Sequence, residues 1–389
     1  MNFTRSIEPS FLEMVLEMPV VASLGPRQVG KTTLAKSVQQ HIGKESHYLD
    51  LESPADLFKL ENAEQYLKDR ADKVIILDEI QRRPELFPII RSLVDAQREP
   101  GRFIILGSAS PDLLRQSSES LAGRISYFEL EPLHFHEVAS AISMEQHWFR
   151  GGFPDILLAS NNKMSSRKMD DFIRTYVERD LPALGMSAKP GEIRRLLQML
   201  INVHANLLNV SNLSRSFGMS SPTIQSYLTF LEQAFLIRML QPYYVNVGKR
   251  LVKSPKVYFR DSGMLHSLAG IRDPEDLYGN ILVGASWEGY VLQQIIARLP
   301  HDVEAFFYRT QDGAEADLVL VKGGKPFQLV KIKYSSEPRL TKGSYLVQAD
   351  LGDIPLLVVT SQRDQEQFQL RDNVWVAGVS NMFNLLKLT

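Results

Sequence analysis

Cysteine is absent from this 389-residue chain. That excludes disulfides and thiolate chemistry, and a zinc site would have to be built from histidines and carboxylates. The absence fits a cytoplasmic protein, which is the expectation taken here. An excess of charge is lacking as well. With 44 Lys and Arg against 45 Asp and Glu, the overall field cannot draw in nucleic acid, and any such surface must be a local patch. Long apolar runs are also missing. The N-terminus "MNFTRSIEPSFLEMVLEMPVVASLG" is broken by Glu8, Glu13 and Glu17, whereas a secretory leader needs a continuous apolar segment behind basic residues. No uncharged apolar stretch approaches the roughly 18 residues of a membrane span, so no membrane contact is expected. The remainder is ordinary: 44% hydrophobic residues and enough length for two or three domains.

The first informative stretch is "VVASLGPRQVGKTTLAKSVQQHI". An apolar strand leads into Gly25, four intervening residues, Gly30, Lys31 and Thr32, and then a helix with Leu34, Val38 and Ile42 at helical spacing. This is the G-x-x-x-x-G-K-T pattern in its strand, loop and helix context. Glycines let backbone N–H groups converge on phosphate oxygens, and the helix N-terminus adds partial positive charge. Gly25, Pro26, Arg27, Gln28, Val29, Gly30, Lys31, Thr32 and Thr33 are therefore the candidate ATP-binding residues. Lys31 would reach the β and γ phosphates and the Thr32 hydroxyl would ligate Mg²⁺, while Thr33 also suits packing or capping in the first helical turn.

"DKVIILDEIQRRPELFPIIRSLVD" supplies the second half of such a site. Val74–Leu77 read as a buried strand of a parallel sheet, and the carboxyl edge of such a sheet is where ligands collect. Asp78 at that edge can hold Mg²⁺ through water, and Glu79 can polarise the attacking water or serve as a helix cap. The next helix, from Glu85 to about Ala96, places Leu86, Ile89, Ile90, Leu93 and Val94 inward. A third strand, "RFIILGSAS", ends at Ser108 and Ser110, which can position the lytic water or cap a helix starting near Pro111. Arg124 precedes a further strand, Ile125–Leu130, and could reach phosphate in cis or in trans; solvated arginines are equally common.

Taken together, "GPRQVGKTTL", "LDEIQRRPELFPIIRSLVD", "FIILGSASPDLL", "LAGRI", "ELEPLHFHEV" and "RGGFPDILL" resemble the bacterial and archaeal AAA-superfamily ATPases that carry a C-terminal DUF4143 domain. The resemblance covers nearly the whole chain. It implies ATP and Mg²⁺ as cofactors, and the family's recurring segments fall on Gly123 and Arg124 and on Gly151 to Pro154.

The stretch "SSRKMDDFIRTYVERDLPALG" reads as one helix ended by Pro182 and Gly185, with Ile173, Val177 and Leu181 on one face. Its charged face, Arg179 and Asp180 included, is given no catalytic role. "NVSNLSRSFGMSSPTIQSYLTFLEQAFLI" has helix-turn-helix grammar, with Gly218 at the turn and Pro222 at the start of the second helix, followed by a plausible wing strand. Thr223, Gln225, Ser226 and Thr229 would face outward, and Arg194, Arg195, Arg215, Arg238, Lys249 and Arg250 could contact phosphates or sit in surface ion pairs.

Near the C-terminus, "SWEGYVLQQIIARLP", "VEAFFYRT", "EADLVLV", "PFQLVKIKYS" and "PLLVVTS" give the order helix, strand, strand, strand and further α/β elements. That order resembles the restriction-endonuclease-like fold, whose members often carry a helix glutamate, an aspartate in the second strand and E-x-K in the third. The resemblance places that site on Glu288, Asp317, Lys331 and Lys333, with lysine where the glutamate should be. At roughly 4 Å and an effective dielectric near 20, Lys331 would repel a divalent ion by about 8 kcal/mol, so the site reads as vestigial, with Lys331 in the cation's volume and Asp317 able to face Lys333. A plain structural hairpin is the alternative.

The expected class is thus α/β: a P-loop NTPase parallel sheet over 1–140, a helical linker over 141–190, a winged-helix-like domain over 191–265 and a nuclease-inactive restriction-endonuclease-like domain over 266–389. The expected function is a Mg²⁺-dependent ATPase that moves its C-terminal domains, acting on DNA or a partner protein, with a second copy as a further candidate partner. A slow, nucleotide-dependent DNA-binding or toxin-defence module is the alternative, and an ATP-regulated nuclease a weaker one.

Overall fold

The apolar runs assemble into a five-stranded parallel sheet of Val20–Leu24 (β1), Ser46–Asp50 (β2), Val74–Asp78 (β3), Phe103–Gly107 (β4) and Ile125–Glu129 (β5), in the order β2-β3-β4-β1-β5. The computed structural model describes residues 3–108, 117, 119–244, 251–335, 340–361, 367–386 and 388. Ser110, Pro111, Lys249 and Arg250 lie outside the described residues.

The three central strands are buried throughout because both faces are covered. Val21, Ile76 and Ile104 enter one core with Phe11, Leu34 and Val38, while Val20, Ile75 and Phe103 enter another with Leu86, Phe87, Ile90, Leu93 and Val94. This is the two-residue alternation of a strand buried on both sides, and each such side chain contributes about 1.5–3 kcal/mol of burial. The helix Leu86–Ala96 matches its expected span, with Phe87 fully buried and Ile89 only half-buried.

The first of these cores does not stop at the sheet. It continues through Phe153, Phe172, Ile173 and Val177 to Leu228, Leu231 and Val257. The stretch read as one helix is Asn162–Thr175, then a wide π-turn at Tyr176–Asp180, then Leu181–Ala183. Ile173, Val177 and Leu181 are buried as the spacing requires, but Asp180 in the wide turn is only 4% exposed as well. An i to i+5 turn shifts the register of the helix by one residue.

Helices Val210–Phe217 and Ser221–Gln233 form the expected pair. Gly218 between them has φ 72°, and Ser220 caps the second helix by accepting from the Thr223 N–H. Three short strands flank this pair in the chain: Asn206–Leu207 (β6) before it, and Ile237–Leu240 (β7) and Lys256–Phe259 (β8) after it, ordered β6-β8-β7 and antiparallel.

The last unit is a six-stranded mixed sheet of Val303–Arg309 (β9), Glu315–Lys322 (β10), Lys325–Lys333 (β11), Leu356–Thr360 (β12), Phe368–Arg371 (β13) and Val374–Gly378 (β14), ordered β13-β14-β12-β11-β10-β9. Helix Val283–Ile296 packs on one face, burying Trp287, Val291 and Ile295 against Leu318, Val330 and Leu357. Val347, on helix Lys342–Asp350, lies on the other face against Val319, Leu329 and Val358.

Candidate functional site: the phosphate loop and the carboxyl edge of the first sheet

The loop after β1 is shaped by what crowds it. A Cβ on Gly25 would sit 2.2 Å from the Leu130 carbonyl oxygen, because the Leu130 N–H donates to Leu24 O at 2.7 Å and brings the two backbones together. Gly30 has φ 96°, a left-handed conformation that favours glycine, and it caps the helix Lys31–Gln39. Lys31 Nζ folds back on the loop and donates to the carbonyls of Gly25 at 3.1 Å and Pro26 at 2.8 Å. Burial pulls its ammonium down to about 8, against the pull of Glu79 and Asp78.

Thr32 Oγ1 donates to Asp78 Oδ2 at 2.6 Å, and the Tyr48 hydroxyl donates to the same oxygen at 2.8 Å. Asp78 Oδ1 accepts from the Glu79 N–H at 3.0 Å. Glu79 has φ 57°, a left-handed conformation costing on the order of 1–3 kcal/mol for a residue with a Cβ. Its carboxylate accepts from Gln81 Nε2, and Gln81 Oε1 accepts in turn from the Ser108 N–H at 3.3 Å. Gln81 thus joins the carboxylate at the end of β3 to the end of β4. The Ser108 hydroxyl is buried and has no hydrogen-bond partner among the described residues.

Gly30, Lys31, Thr32, Asp78 and Glu79 border a cavity of about 400 Å³ whose other wall is Phe3, Leu133, Pro154 and Leu158. The donor set fits a magnesium nucleoside triphosphate: a glycine cradle, an ammonium held among the described residues by loop carbonyls, a threonine hydroxyl beside an aspartate, and a hydroxyl at the adjoining strand end with no partner among the described residues.

The expected residues Gly25 to Thr33, Asp78, Glu79 and Ser108 therefore meet at one sheet edge. Arg124 does not. It lies at the opposite edge, where its carbonyl accepts from the Val20 N–H, and its guanidinium grips Asp95 with Nη2 at 3.0 Å from Oδ2. The five residues of β1 separate it from the loop, about 16 Å at 3.3 Å per residue. Reach to this chain's own phosphate site is corrected on that ground.

Three residues with no counterpart among the sequence candidates complete the site: Arg5 Nη1 donates to the Val29 carbonyl in the loop at 2.9 Å, and Tyr48 and Gln81 hold the two acidic groups. All but Gln81 sit at least 24 residues from their partners, and nothing local in the sequence marks them. The glycines of the "RGGFP" segment serve docking: a Cβ on Gly152 would meet Leu133 O at 2.1 Å, and its N–H donates to Asp261 Oδ2 at 2.8 Å.

The second expected site is filled by lysines. The β10–β11 register sets Leu318 opposite Val330, hence Asp317 opposite Lys331. Asp317 accepts from Lys331 Nζ at 2.7 Å and from the Ile332 N–H at 2.7 Å, so its partner is Lys331 and not Lys333. The expectation that Lys331 takes the cation's place needs a second correction. Lys256, from β8, puts Nζ at 3.1 Å from Glu288 Oε1, 2.5 Å from Glu315 Oε1 and 3.9 Å from Asp317 Oδ1. Burial alone would lower the Lys256 pKa, but Glu288, Asp317 and Glu315 raise it, so the ammonium stays charged. Glu288 also accepts from the Tyr258 hydroxyl at 2.7 Å. Glu315 shares the strand face of Asp317 by the two-residue period, which the segment "EAD" already carries. Among the described residues no cluster of three or more His, Cys, Asp or Glu could hold a metal.

Three of the candidate phosphate contacts of the middle region, Arg195, Arg215 and Arg238, are already engaged. Arg238 faces inward, donating to Glu131 at 2.7 Å and Gln293 at 3.2 Å, which corrects its reading as a surface contact. Arg195 donates to Ser216 O and lies over the Phe217 ring, and Arg215 bonds within its own helix to Ser211 and Asn212.

The first sheet and its loop define the class, a P-loop ATPase domain of the AAA type, and residues 17–139 match the family described as AAA domain. Residues 141–275 match a domain of unknown function, DUF8612, and residues 283–381 another, DUF4143. An uncharacterised protein of Mycobacterium tuberculosis, Rv2008c, is 40% identical over 356 residues, covering 92% of this chain and 79% of that protein. The chain belongs to the family that joins an AAA-type ATPase domain to a DUF4143 domain. An uncharacterised protein of the archaeon Methanocaldococcus jannaschii, MJ1544, is 24% identical over 339 residues, covering 80% of this chain and 73% of its own length. Among solved structures, the Walker-type ATPase PABY2304 of Pyrococcus abyssi is similar at 16% identity and TM-score 0.47, over 69% of this chain and 96% of that one. Among the described residues no helix is long and apolar enough to cross a membrane.

Proposed function

We propose that this protein binds and slowly hydrolyses ATP with Mg²⁺ and couples the nucleotide cycle to movement of its C-terminal regions against DNA or a partner protein. The observation that carries this reading is the 2.6 Å contact of Thr32 with Asp78 beneath a Glu79 carboxylate oriented by Gln81. Bound Mg²⁺ would neutralise charge on the β and γ phosphates. Thr32 and Asp78 would hold that ion, with Tyr48 fixing the aspartate. Lys31 would exchange the Gly25 and Pro26 carbonyls for phosphate oxygens, and the N–H groups of the glycine loop would take the remaining charge. Glu79 would orient the attacking water and accept its proton, and Ser108 would offer its unpartnered hydroxyl from β4. Arg124, half-buried on the far edge in its pair with Asp95, is a candidate only for action across an interface with a second copy.

The coupling is supported by the shared core and by Arg5, whose guanidinium links the Val29 carbonyl to Glu131 O and Glu137. We read the middle region as a winged-helix-like module and the last sheet as a restriction-endonuclease-like fold without nuclease chemistry. Two ammonium groups among Glu288, Glu315 and Asp317 support the second reading. Isothermal calorimetry with ATP and Mg²⁺, followed by phosphate release, tests the proposal. Lys31→Ala is expected to lose binding, and absence of binding to any nucleoside triphosphate by the intact protein overturns it.

A further inference from the structure

One side chain of the phosphate loop finds its partner outside the ATPase sheet. Arg27 extends from the loop into a second cavity, about 440 Å³, which meets the first at Gln28, Glu79 and Asp155. Its Nη1 lies 3.4 Å from Asp180 Oδ1 and its Nη2 donates to Glu52 Oε1 at 3.0 Å. Each of those carboxylates has a second cation. Arg179 Nε donates to the same oxygen of Asp180 at 2.9 Å, and Arg82 Nη2 to the same oxygen of Glu52 at 2.8 Å. Asp180 closes the π-turn at 176–180, and such turns recur at functional positions because they sacrifice regular helix hydrogen bonding to aim a side chain.

The arrangement suits an exchange. If Arg27 leaves Asp180, the aspartate keeps Arg179 and Glu52 keeps Arg82, so no buried carboxylate is stripped of its counter-charge. The incoming acceptor must carry at least as much charge as the carboxylate it replaces and must lie at the loop, beside Glu79. A terminal phosphate meets both requirements, since guanidinium takes phosphate oxygens in the same forked geometry as a carboxylate.

We infer that Arg27 is a nucleotide-sensing residue: in the nucleotide-free protein it ties the helical region to the phosphate loop through Asp180, and a nucleoside triphosphate releases that tie by taking over its guanidinium. The inference rests on reading the loop as a triphosphate site. It makes Arg27 a nucleotide-contacting residue that reports the presence of the last phosphate, so a diphosphate leaves the tie in place. The helical segment at 162–183 is then the first element to feel the nucleotide state.

Amide hydrogen exchange of the full chain, read at residues 176–183 with and without Mg²⁺ and a non-hydrolysable ATP analogue, tests it beside calorimetry on the same samples. The analogue is expected to speed exchange in this segment several-fold and ADP to leave it unchanged. Asp180→Asn is expected to show the fast exchange without nucleotide and to bind the analogue about fivefold more tightly, with ADP affinity unaltered. Arg27→Gln, at a side chain 18% exposed, is expected to show the same fast exchange but to bind the analogue more weakly. That opposite movement of affinity separates sensing from a structural role, which would move both variants alike. The inference is overturned if the wild-type protein binds the analogue with exchange at 176–183 unchanged, or if Asp180→Asn weakens analogue binding as Arg27→Gln does. Absence of analogue binding by the wild type removes the ATP-site reading itself, a separate result.

Discussion

Arg5 Nη1 donates to the Val29 carbonyl at 2.9 Å, tying a residue outside the nucleotide motif to the interior of the phosphate loop. The same guanidinium contacts the Glu137 carboxylate, whose side chain is 2% exposed. Burial would raise the Glu137 pKa, yet Arg5, His134 and two backbone N–H groups hold it at about 2. A depressed carboxylate contributes stability that is present above its unfolded pKa and lost as pH falls toward the folded one. Wild-type stability in urea should therefore decline between about pH 4.5 and 2. Arg5→Ala should lose about 3 kcal/mol at pH 7 by leaving Glu137 buried and unpaired, and its acid slope should flatten. An unchanged midpoint in this variant would exclude the tie.

Nucleotide binding should be linked to proton uptake near pH 8. Lys31 has its folded pKa lowered to about 8 by burial, so close to that pH only part of the population carries the ammonium. A phosphate partner restores the charge. Calorimetric binding enthalpies in buffers of different ionisation heat should reveal about half a proton taken up at pH 8 and almost none at pH 6.5. By linkage, the nucleotide-free protein should gain stability from this group as pH rises from about 8 to 10.5, where the unfolded lysine still binds its proton. No uptake at pH 8 would mean that Lys31 stays fully charged without nucleotide.

Glu79→Gln should keep ATP affinity and lower turnover by about 10²–10⁴, the usual contribution of a positioned base. Gln81→Ala should lower turnover by about tenfold with little change in affinity, because the Gln81 amide orients Glu79 and reaches Ser108 but lies outside the glycine loop. Steady-state phosphate release with separate KM and kcat values checks both. A Glu79→Gln protein as active as wild type would move the base elsewhere.

Lys256→Met should destabilise the fold by about 3 kcal/mol, since it leaves Glu288 and Glu315 without their shared ammonium. Thermal denaturation measures this. The unmodified protein should leave single- and double-stranded DNA intact in Mg²⁺ or Mn²⁺; cleavage abolished by Asp317→Ala would instead establish a nuclease.

DNA retention, if it exists, should not depend on Arg238. That residue is committed to Glu131 and Gln293, so Arg238→Ala should weaken the packing of the middle region on the ATPase domain and lower the melting temperature. A low-salt gel shift without and with ATP reads the DNA side, and binding lost in this variant at temperatures where it remains folded would restore the contact.

Elements whose physics is local were legible from the chain alone. A glycine pattern between strand and helix, a buried run ending in Asp78 and Glu79, and the turn at Gly218 each follow from neighbouring residues, and each is found at its expected place. The chain alone also placed Asp317 near a lysine, because strand period and hairpin register are short-range. Which distant charges meet depends on the packing of the whole molecule. Arg124 faces the wrong sheet edge because its position depends on the direction of β5, and Lys256 reaches three carboxylates from another sheet. Asp180 turns inward because of one extra residue in a helical turn. A charge attracts any opposite charge that the packing brings near, so its partner is fixed by the fold and cannot be read from its neighbours in the chain.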